Sequence, residues 1–400
     1  MKHAARLLVV DDNPQNRDVL LRRLQRLGHT DVATADDGQD ALDTMRRMAD
    51  AGTPFDTVLL DVMMPRLSGI GVLEAMRGEP ALRSTPVIMI SADTELDTVV
   101  RCVELGAEDY LPKPFNPVLL RARLGTVLEK KRLRDEVARQ LQRYERELAE
   151  ARRQQLSMVP SEFPAADMAH PISVHATMVP AREVGGDLYD CFVAAPGILC
   201  VAVGDVSGKG MPAALFMARA RSLLRASALQ HAEATGAPPR PSRLLSVLNE
   251  ELCKNNDGGM FVTLYVGFLE VATGRLAFAN AGHLRPLRIA PCGAVSEVVT
   301  KPEPPLGVRS GLEHNDHAQT IEPGEALVVI TDGLPEMMAP DGSFYSLRRV
   351  AADLAALAHA APEAITSALV AQAQAFAAGT EAADDVTVLA LRRWLRSELK

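Results

Sequence analysis

The chain has 400 residues, too many for one ordinary hydrophobic core, so its length predicts two or three domains. With 47% hydrophobic and 24% charged residues, its composition excludes disordered and fibrous classes. A net charge of −8 argues against a broad nucleic-acid-binding face, and no apolar run approaches the roughly 20 residues of a membrane-spanning helix. The five cysteines form no C-x-x-C pair. We therefore expect a cytoplasmic protein that binds neither nucleic acid nor membrane.

About the first 120 residues alternate predicted strands and helices. Short apolar runs at Leu7 to Val10, Val58 to Leu60 and Val87 to Ile90 are typical of parallel strands buried on both faces. Helical patterns run from Pro14 to Leu27 and from Glu95 to Leu105, and a glycine follows each. This alternation predicts an α/β doubly wound parallel sheet of the flavodoxin-like type, which binds ligands beyond the carboxyl ends of its strands.

Polar residues collect at those carboxyl ends. They are Asp11, Asp12, Asp61, Ser91 and Lys113. Three carboxylates that converge on one edge suit a hard cation such as Mg²⁺. Like charges held that close are costly unless a metal ion or a lysine offsets them. The pattern therefore predicts a magnesium site at this edge.

The motifs D-D, D-x-M-M-P, S-A and K-P-F, in this order, resemble the receiver domain of bacterial response regulators over roughly residues 5 to 122. The resemblance implies that Asp61 accepts a phosphoryl group from a sensor histidine kinase or phosphotransfer protein. The implied magnesium ligands are Asp11, Asp12, Asp61 and the backbone carbonyl of Met63. The implied phosphoryl-binding residues are Ser91 and Lys113, and Tyr110 is the implied aromatic switch. No position departs from the motif, which disfavours the alternative of a receiver that has lost phosphorylation.

A helical linker is predicted over residues 123–156, between a receiver domain at 1–122 and a second domain at 157–400. Val137, Leu141, Tyr144 and Leu148 recur at spacings of 4, 3 and 4, with charged residues between them. One apolar stripe on a charged helix is typical of a coiled coil. We therefore expect a homodimer, the alternative being a single helix packed on its own domains.

The stretch G-D-V-S-G-K-G at residues 204–210 lies between a strand-like run and a helix-like run, where a phosphate-binding loop could stand. The motif G-x-x-x-x-G-K-[ST] is not met, because one intervening residue is missing and a glycine follows the lysine. An acid, Asp205, also lies where phosphates would need amide donors. The stretch is therefore not a nucleotide-binding P-loop.

Other acids stand at predicted strand ends in this part of the chain. Asp187 follows a glycine pair and a β-like run, Asp332 ends a strongly apolar strand, and Asp384 and Asp385 precede the last strand. Four carboxylates gathered at one end of a sheet can bind two divalent ions, and ions about 3.5–4 Å apart can support in-line hydrolysis of a phosphate ester. The pattern therefore predicts metal-dependent phosphate chemistry.

Five separated motifs, R-E-V-G-G-D-L-Y-D, G-D-V-S-G-K-G-M-P-A-A, N-A-G-H, T-D-G-L and D-D-V-T, resemble the PPM-type serine/threonine phosphatases of the SpoIIE and RsbU group. The match runs from about residue 147 to residue 394, and the lead-in E-L-A-E-A-R-R-Q-Q-L-S-M-V-P resembles the segment that precedes the domain. The implied fold is a β-sandwich flanked by helices, with a hairpin turned at Thr273 and Gly274.

The resemblance also implies a site for two Mn²⁺ or Mg²⁺ ions, with Asp205 as the catalytic bridging ligand. The implied metal ligands are Asp187, Asp205, the carbonyl of Val206, Asp332 and Asp384, with Asp385 as the alternative to Asp384. We expect Lys209 to face solvent or the substrate. For His283 we expect a structural role rather than proton donation.

Together these features predict a two-component response regulator. Phosphorylation of Asp61 would control a metal-dependent protein serine/threonine phosphatase. The resemblance suggests a phosphorylated STAS-domain anti-sigma-factor antagonist as its substrate. The alternative is a catalytically idle, phosphatase-like adaptor that sequesters a signalling partner. A degenerate domain of that kind would be expected to lack at least one of the acids, and all of them are present.

Overall fold

The computed structural model describes residues 5–92, 96–163 and 171–395. The chain divides into two compact units, the first ending at Tyr144 and the second beginning at Glu145. Among the described helices none is long and apolar enough to cross a membrane.

The first unit contains a five-stranded parallel sheet with the order β2-β1-β3-β4-β5. Its strands are β1 (Leu7–Val10), β2 (Val32–Ala35), β3 (Thr57–Asp61), β4 (Val87–Ser91) and β5 (Asp109–Pro112). The helices that begin in this unit are α1 (Pro14–Arg26), α2 (Gly38–Asp50), α3 (Gly69–Gly78), α4 (Leu96–Glu104) and α5 (Pro117–Met158). The doubly wound, flavodoxin-like fold is thereby confirmed. The predicted helix start at Glu95 lies outside the described residues.

Local chemistry explains why these elements form. The strands β1 and β3 are buried along their whole length, as continuous apolar runs in a parallel sheet require. Helix α1 begins at a proline, and the side chain of Asn13 caps it by accepting a hydrogen bond from the backbone N–H of Gln15 at 2.9 Å. Separate apolar cores cover the two faces of the sheet. The sheet is thus sealed on both faces, and its carboxyl edge carries the polar residues.

Helix α5 is a single helix of 42 residues. The segment predicted as a linker lies inside it, and the proposed boundaries at 122 and 156 remain predictions. Three residues of the apolar stripe are largely exposed, with exposed fractions of 65% for Val137, 57% for Leu141 and 63% for Tyr144. The stripe is therefore accessible, and the predicted pairing through it stays a prediction.

The second unit contains two five-stranded antiparallel sheets with the orders β13-β10-β9-β8-β7 and β12-β11-β14-β15-β6. The strands are β6 (Ile172–Val179), β7 (Leu188–Ala195), β8 (Ile198–Val206), β9 (Val262–Glu270), β10 (Arg275–Ala281), β11 (Leu287–Ile289), β12 (Val295–Glu297), β13 (His317–Thr320), β14 (Ala326–Ile330) and β15 (Val386–Arg393). The helices are α6 (Met211–Thr235), α7 (Pro241–Cys253), α8 (Ser346–Ala356) and α9 (Pro362–Ala377).

Three apolar cores hold this unit together. One lies between the sheets and contains residues such as Tyr265 and Leu389. A second packs α6 and α7 on the first sheet, and a third packs α8 and α9 on the second sheet. The β-sandwich flanked by helices is therefore confirmed. The β9–β10 hairpin also turns through Thr273 and Gly274, where Gly274 has a φ of +78°.

Candidate active sites

The receiver site lies at the carboxyl edge of the parallel sheet, where β1 and β3 end side by side. Asp11 and Asp61 are buried there, whereas Asp12 is exposed. These three side chains each offer a carboxylate oxygen, and the three oxygens lie within 4.8 Å of one another. Lys113 places its Nζ 2.9 Å from Asp11 Oδ2 and 2.8 Å from Asp61 Oδ2. The structure thus brings together the acids and the lysine that the sequence singled out.

The charges of this site do not balance without a cation. Burial raises the pKa of Asp61 and the charge of Asp11 adds to the rise, while the hydrogen bond from Lys113 acts in the opposite direction. For Lys113, burial alone would lower the pKa, but its hydrogen bonds to Asp61 and Asp11 outweigh burial and raise it. Carboxylate oxygens with surplus negative charge are the ligands that Mg²⁺ prefers, so these residues fit that ion.

Ser91 and Tyr110 lie on the two strands beside the acids. Ser91 is the last residue of β4 and is buried, and its backbone carbonyl accepts a hydrogen bond from the N–H of Lys113 at 2.8 Å. Tyr110 lies in β5 and is half-buried. Met63 has an exposed fraction of 72%. Ser91 and Lys113 therefore share one edge of the site.

Two residues that orient Asp11 were missed by the sequence analysis. Asn16 donates from Nδ2 to both carboxylate oxygens of Asp11, at 3.0 and 3.1 Å, and Arg17 donates from Nη1 to the Asp11 carbonyl at 2.6 Å. Both lie in the first turns of α1, directly after the D-D motif. Their position on the helix that follows the acids was the available signal.

The phosphatase acids gather at one end of the sandwich because of strand register. Asp187 directly precedes β7, and the loop with the glycine pair that follows β6 leads into it. Asp205 lies in β8, opposite Thr263 of β9, and Leu188 pairs with Gly204. Asp332 lies just beyond β14, and β15, which pairs with β14, begins directly after Asp385.

The stretch G-D-V-S-G-K-G forms the turn that follows Asp205. Gly208 and Gly210 have φ values of +89° and +74°, in the left-handed region that suits glycine. They carry the chain from β8 into α6, and Ser207 fixes the turn by pairing with Phe261 in two hydrogen bonds of 2.9 Å. The glycines therefore shape a turn beside an acid.

Burial and repulsion from neighbouring carboxylates raise the pKa values of Asp187, Asp205 and Asp332. Burial raises the pKa of Asp205 to about 7, and the charges of Asp332 and Asp384 add to that rise. Burial raises the pKa of Asp187 as well, with a further contribution from Asp205. Burial raises the pKa of Asp332, and the charge of Glu336 adds to it. Cations bound among these carboxylates would relieve the repulsion, so the donor set fits divalent ions.

The spacing of these acids differs from that of the receiver site. Within the described ranges, the receiver triad is the one group of three acidic, histidine or cysteine side chains whose ligand atoms all lie within 4.8 Å. The phosphatase carboxylates are therefore spread more widely.

Thr331 is a further residue that the sequence analysis missed. Its hydroxyl donates to Asp187 Oδ2 at 2.8 Å and accepts a hydrogen bond from the backbone N–H of Thr387 at 2.9 Å. It thereby orients Asp187 from the second sheet, whereas Asp187 itself precedes a strand of the first. Its place directly before Asp332 in T-D-G was the available signal.

Asp384 and Asp385 are neighbours with different environments. Asp385 is buried, and its carboxylate accepts hydrogen bonds from the backbone N–H groups of Ala181 at 2.9 Å and Gly186 at 2.7 Å. The side chain of Asp384 has an exposed fraction of 38%, and its Oδ2 lies 3.1 Å from Lys209 Nζ. Lys209 also donates to the carbonyl of Ala383. Asp385 thus holds a loop in place, whereas Asp384 forms an ion pair with Lys209.

Comparisons with known proteins agree with this architecture. Residues 7–125 match the response regulator receiver domain, and residues 195–394 match the family described as Stage II sporulation protein E (SpoIIE). The chain belongs to the SpoIIE family. It therefore combines a receiver domain with a PPM-type phosphatase domain.

Individual relatives of this SpoIIE-family protein match parts of the chain. Protein IcfG of Synechocystis is 27% identical over 267 residues, which are 62% of this chain and 41% of IcfG. The transcriptional regulatory protein CpxR of Escherichia coli is 42% identical over 126 residues, which are 31% of this chain and 50% of CpxR. The chain thus spans half or less of the length of these curated relatives. The SiaA-PP2C domain of Pseudomonas aeruginosa shares the fold, with a TM-score of 0.53 and 20% identity over 63% of this chain and 98% of that one.

His283 of the SpoIIE-family domain is buried and contacts β9, the strand that pairs with the strand of Asp205. Its Nδ1 lies 2.9 Å from the hydroxyl of Thr263, and its backbone N–H donates to Asn280 Oδ1 at 2.8 Å. Burial lowers the pKa of His283 to about 4, so its ring is neutral at neutral pH. These bonds tie the turn after β10 to β9, and the structural role expected for His283 stays a prediction.

Proposed function

We propose that this protein is a response regulator in which phosphorylation of Asp61 controls a metal-dependent protein serine/threonine phosphatase. The observation that carries the proposal is the gathering of acids with raised pKa values at one end of the sandwich, in a chain that also has a receiver domain. Membership of the SpoIIE family supports it.

In the phosphatase domain, the resemblance to the SpoIIE and RsbU group makes Asp205 the proposed ligand shared by both ions, and the charges of Asp332 and Asp384 act on its carboxylate. The proposed ligands are Asp187, Asp205, the carbonyl of Val206, Asp332 and Asp384. Mn²⁺ or Mg²⁺ ions held there would activate water and stabilise the phosphate oxygens. Gly186 supports the inclusion of the Val206 carbonyl. A Cβ at position 186 would lie only 2.8 Å from that carbonyl oxygen, so the residue packed against the oxygen has no side chain.

Asp384, rather than Asp385, is the proposed ligand. Asp385 already accepts hydrogen bonds from loop N–H groups with both of its oxygens. Asp384 is more exposed and is paired with a lysine that can leave. Once Lys209 is released from Asp384, its ammonium group is free to bind the phosphate of an incoming substrate.

In the receiver, Asp61 is the proposed phosphoacceptor, and Asp11, Asp12 and the Met63 carbonyl would hold Mg²⁺ beside it. Lys113 and Ser91 lie where they can bind phosphoryl oxygens, with Tyr110 as the switch residue. The added charge of a phosphoryl group, close to −2, would draw Lys113 away from Asp11 and shift this edge of the sheet. A sensor histidine kinase or phosphotransfer protein is the proposed donor.

The proposed substrate is a phosphoserine or phosphothreonine on a STAS-domain anti-sigma-factor antagonist, as the resemblance to the SpoIIE and RsbU group suggests. Two chains are proposed to pair through the exposed stripe of α5, because Val137, Leu141 and Tyr144 lie at heptad-like spacing and leave apolar surface in water. Pairing of this kind would let a change in the receiver reach the phosphatase through the helix.

Hydrolysis of p-nitrophenyl phosphate with Mn²⁺ tests the catalytic proposal. We expect turnover in the native chain and in the control Asp341→Asn, which alters an exposed acid elsewhere in the domain. Turnover should fall to background in Asp205→Asn. In Asp61→Asn, turnover should persist but lose any response to beryllofluoride, a mimic of the phosphoryl group.

A phosphorylated STAS-domain protein provides the second substrate. Turnover of neither substrate by the native chain, in the presence of Mn²⁺ or Mg²⁺, would refute the enzymatic proposal and favour the idle adaptor. Turnover that is equal with and without beryllofluoride would instead refute control by the receiver.

A further inference from the structure

The end of helix α5 touches the loop that carries Asp187. Gln155 lies in the final turn of α5, three residues before its last residue, Met158, and its side chain is buried, with an exposed fraction of 4%. Its Nε2 donates to the carbonyl of Gly185 at 2.6 Å, and its Oε1 accepts from the N–H of the same glycine at 3.0 Å. The amide thus satisfies both backbone groups of Gly185, as a neighbouring strand would.

Asp385 holds the same loop through other backbone groups. Its oxygens accept hydrogen bonds from the N–H groups of Ala181 and Gly186. A Cβ on Gly185 would lie 1.8 Å from Asp385 Oδ2, so this glycine is pressed against the carboxylate and has no room for a side chain. The loop is therefore fixed by two side chains, and Asp187 follows Gly185 by two residues.

The docking of α5 has anchors that do not involve this bond. Val159 is buried in the core between the two sheets, and the hydroxyl of Tyr189 donates to the carbonyl of Pro160 at 2.8 Å. These contacts hold the end of the helix to the sandwich. The hydrogen bonds of Gln155 connect the helix directly to the loop before Asp187. Without them, the contacts of Val159 and Tyr189 remain.

We infer that Gln155 is a positioning residue that fixes the carboxylate of Asp187 for metal binding, acting through the backbone of Gly185. The inference rests on the proposed function, because it takes Asp187 as a metal ligand. Removing partners that orient a ligand costs metal sites about 10- to 100-fold in affinity. Gln155 lies on the helix that begins at Pro117 in the receiver unit, so the residue that grips the metal loop is part of the element that leads from the receiver.

Gln155→Met tests this role, because methionine keeps the length of the side chain and removes both hydrogen bonds. Gln154→Ala is the matched control, since Gln154 is the exposed neighbour on the same helix. Mn²⁺ affinity is measured by calorimetry on the full chain. We expect at least about tenfold weaker binding in Gln155→Met and an unchanged affinity in Gln154→Ala.

Hydrogen exchange of the metal-free chain provides a readout that needs neither metal nor activity. We expect faster exchange in the segment 181–187 of Gln155→Met, while peptides from β8 and β9 stay as protected as in the native chain. If Gln155→Met fails to fold, Gln155→Glu replaces it. That variant keeps the acceptor for the Gly185 N–H and places an oxygen against the Gly185 carbonyl, so we expect the same two effects.

The role of Gln155 and the phosphatase proposal can fail separately. Mn²⁺ affinity and loop exchange in Gln155→Met that equal those of Gln154→Ala would overturn the role of Gln155 and leave the phosphatase proposal intact. A native chain that binds no Mn²⁺ would instead overturn the metal site, and with it this role, even if the exchange of segment 181–187 still depended on Gln155.

Discussion

The raised pKa of Asp205 predicts that the metal-free protein loses stability as the pH rises. Its pKa of about 7 in the folded chain compares with a usual value of 3.8. Below pH 4 the carboxyl is protonated in both the folded and the unfolded chain. Between pH 4 and 7 the unfolded chain has released the proton and the folded chain keeps it, so stability falls as pH rises. Above pH 7 the carboxyl is ionised in both states, and the free energy of unfolding is lowered by the full cost of the buried charge.

The size of this effect follows from the same two values. At about 1.4 kcal/mol for each pH unit, the cost above pH 7 is about 4 kcal/mol. Asp205→Asn removes the charge and keeps the shape. In metal-free protein, this variant should therefore be about 4 kcal/mol more stable relative to the native chain at pH 8 than it is at pH 4.

Urea denaturation in the presence of a chelator measures this difference. The chain has one tryptophan, Trp394, and its Nε1 donates to Ser173 Oγ at 2.7 Å, so its fluorescence reports on the sandwich. Asp257→Asn is the control for loss of an exposed acid. A stability difference between Asp205→Asn and the native chain that is the same at both pH values would refute the reasoning. Added Mn²⁺ should stabilise the native chain at pH 8 by mass action and leave Asp205→Asn largely unaffected.

Three further predictions test the remaining assignments. Asp385→Ala should lower both the melting temperature and Mn²⁺ affinity, because it frees loop N–H groups, whereas Asp384→Ala should lower Mn²⁺ affinity alone; equal melting temperatures would contradict the separate roles. Leu141→Glu should convert a dimer to a monomer in light scattering, with Gln140→Glu on the same helix as the control. Asn16→Ala should weaken beryllofluoride binding to the receiver several-fold, measured by fluorine magnetic resonance, because Asp11 loses the amide that orients it; unchanged binding would contradict that role.

Much of the fold could be predicted because buried strands are visible in the sequence as continuous apolar runs. The apolar runs of β1 and β4 are buried on both faces, and each is followed by the acid or hydroxyl of the receiver site. The acids of the second unit could be picked out in the same way. Asp332 stands two residues after the buried strand β14, and Asp205 lies at the end of β8.

Contacts between side chains and backbone groups that are distant in the chain produce no comparable sequence pattern. Gln155 and Gly185 are separated by 30 residues, and their pairing depends on how the end of α5 docks on the sandwich. Likewise, sequence could not choose between Asp384 and Asp385, because the choice depends on which carboxylate faces the N–H groups of the loop. The structure has Asp385 against those N–H groups, whereas the carboxylate of Asp384 lies beside Lys209.

The two acidic sites differ in how their charge is balanced, and this difference bears on control. In the receiver, Lys113 contacts both buried acids, so the site is partly neutralised before any ion binds. In the phosphatase domain, Lys209 is paired with the half-buried Asp384, while burial raises the pKa of Asp205 to about 7. The phosphatase site therefore depends more strongly on bound cations. Under the proposed control by the receiver, a small displacement of Asp187 through its loop would lower the affinity of the phosphatase site for these cations, and metal occupancy is the property on which we propose that the receiver acts.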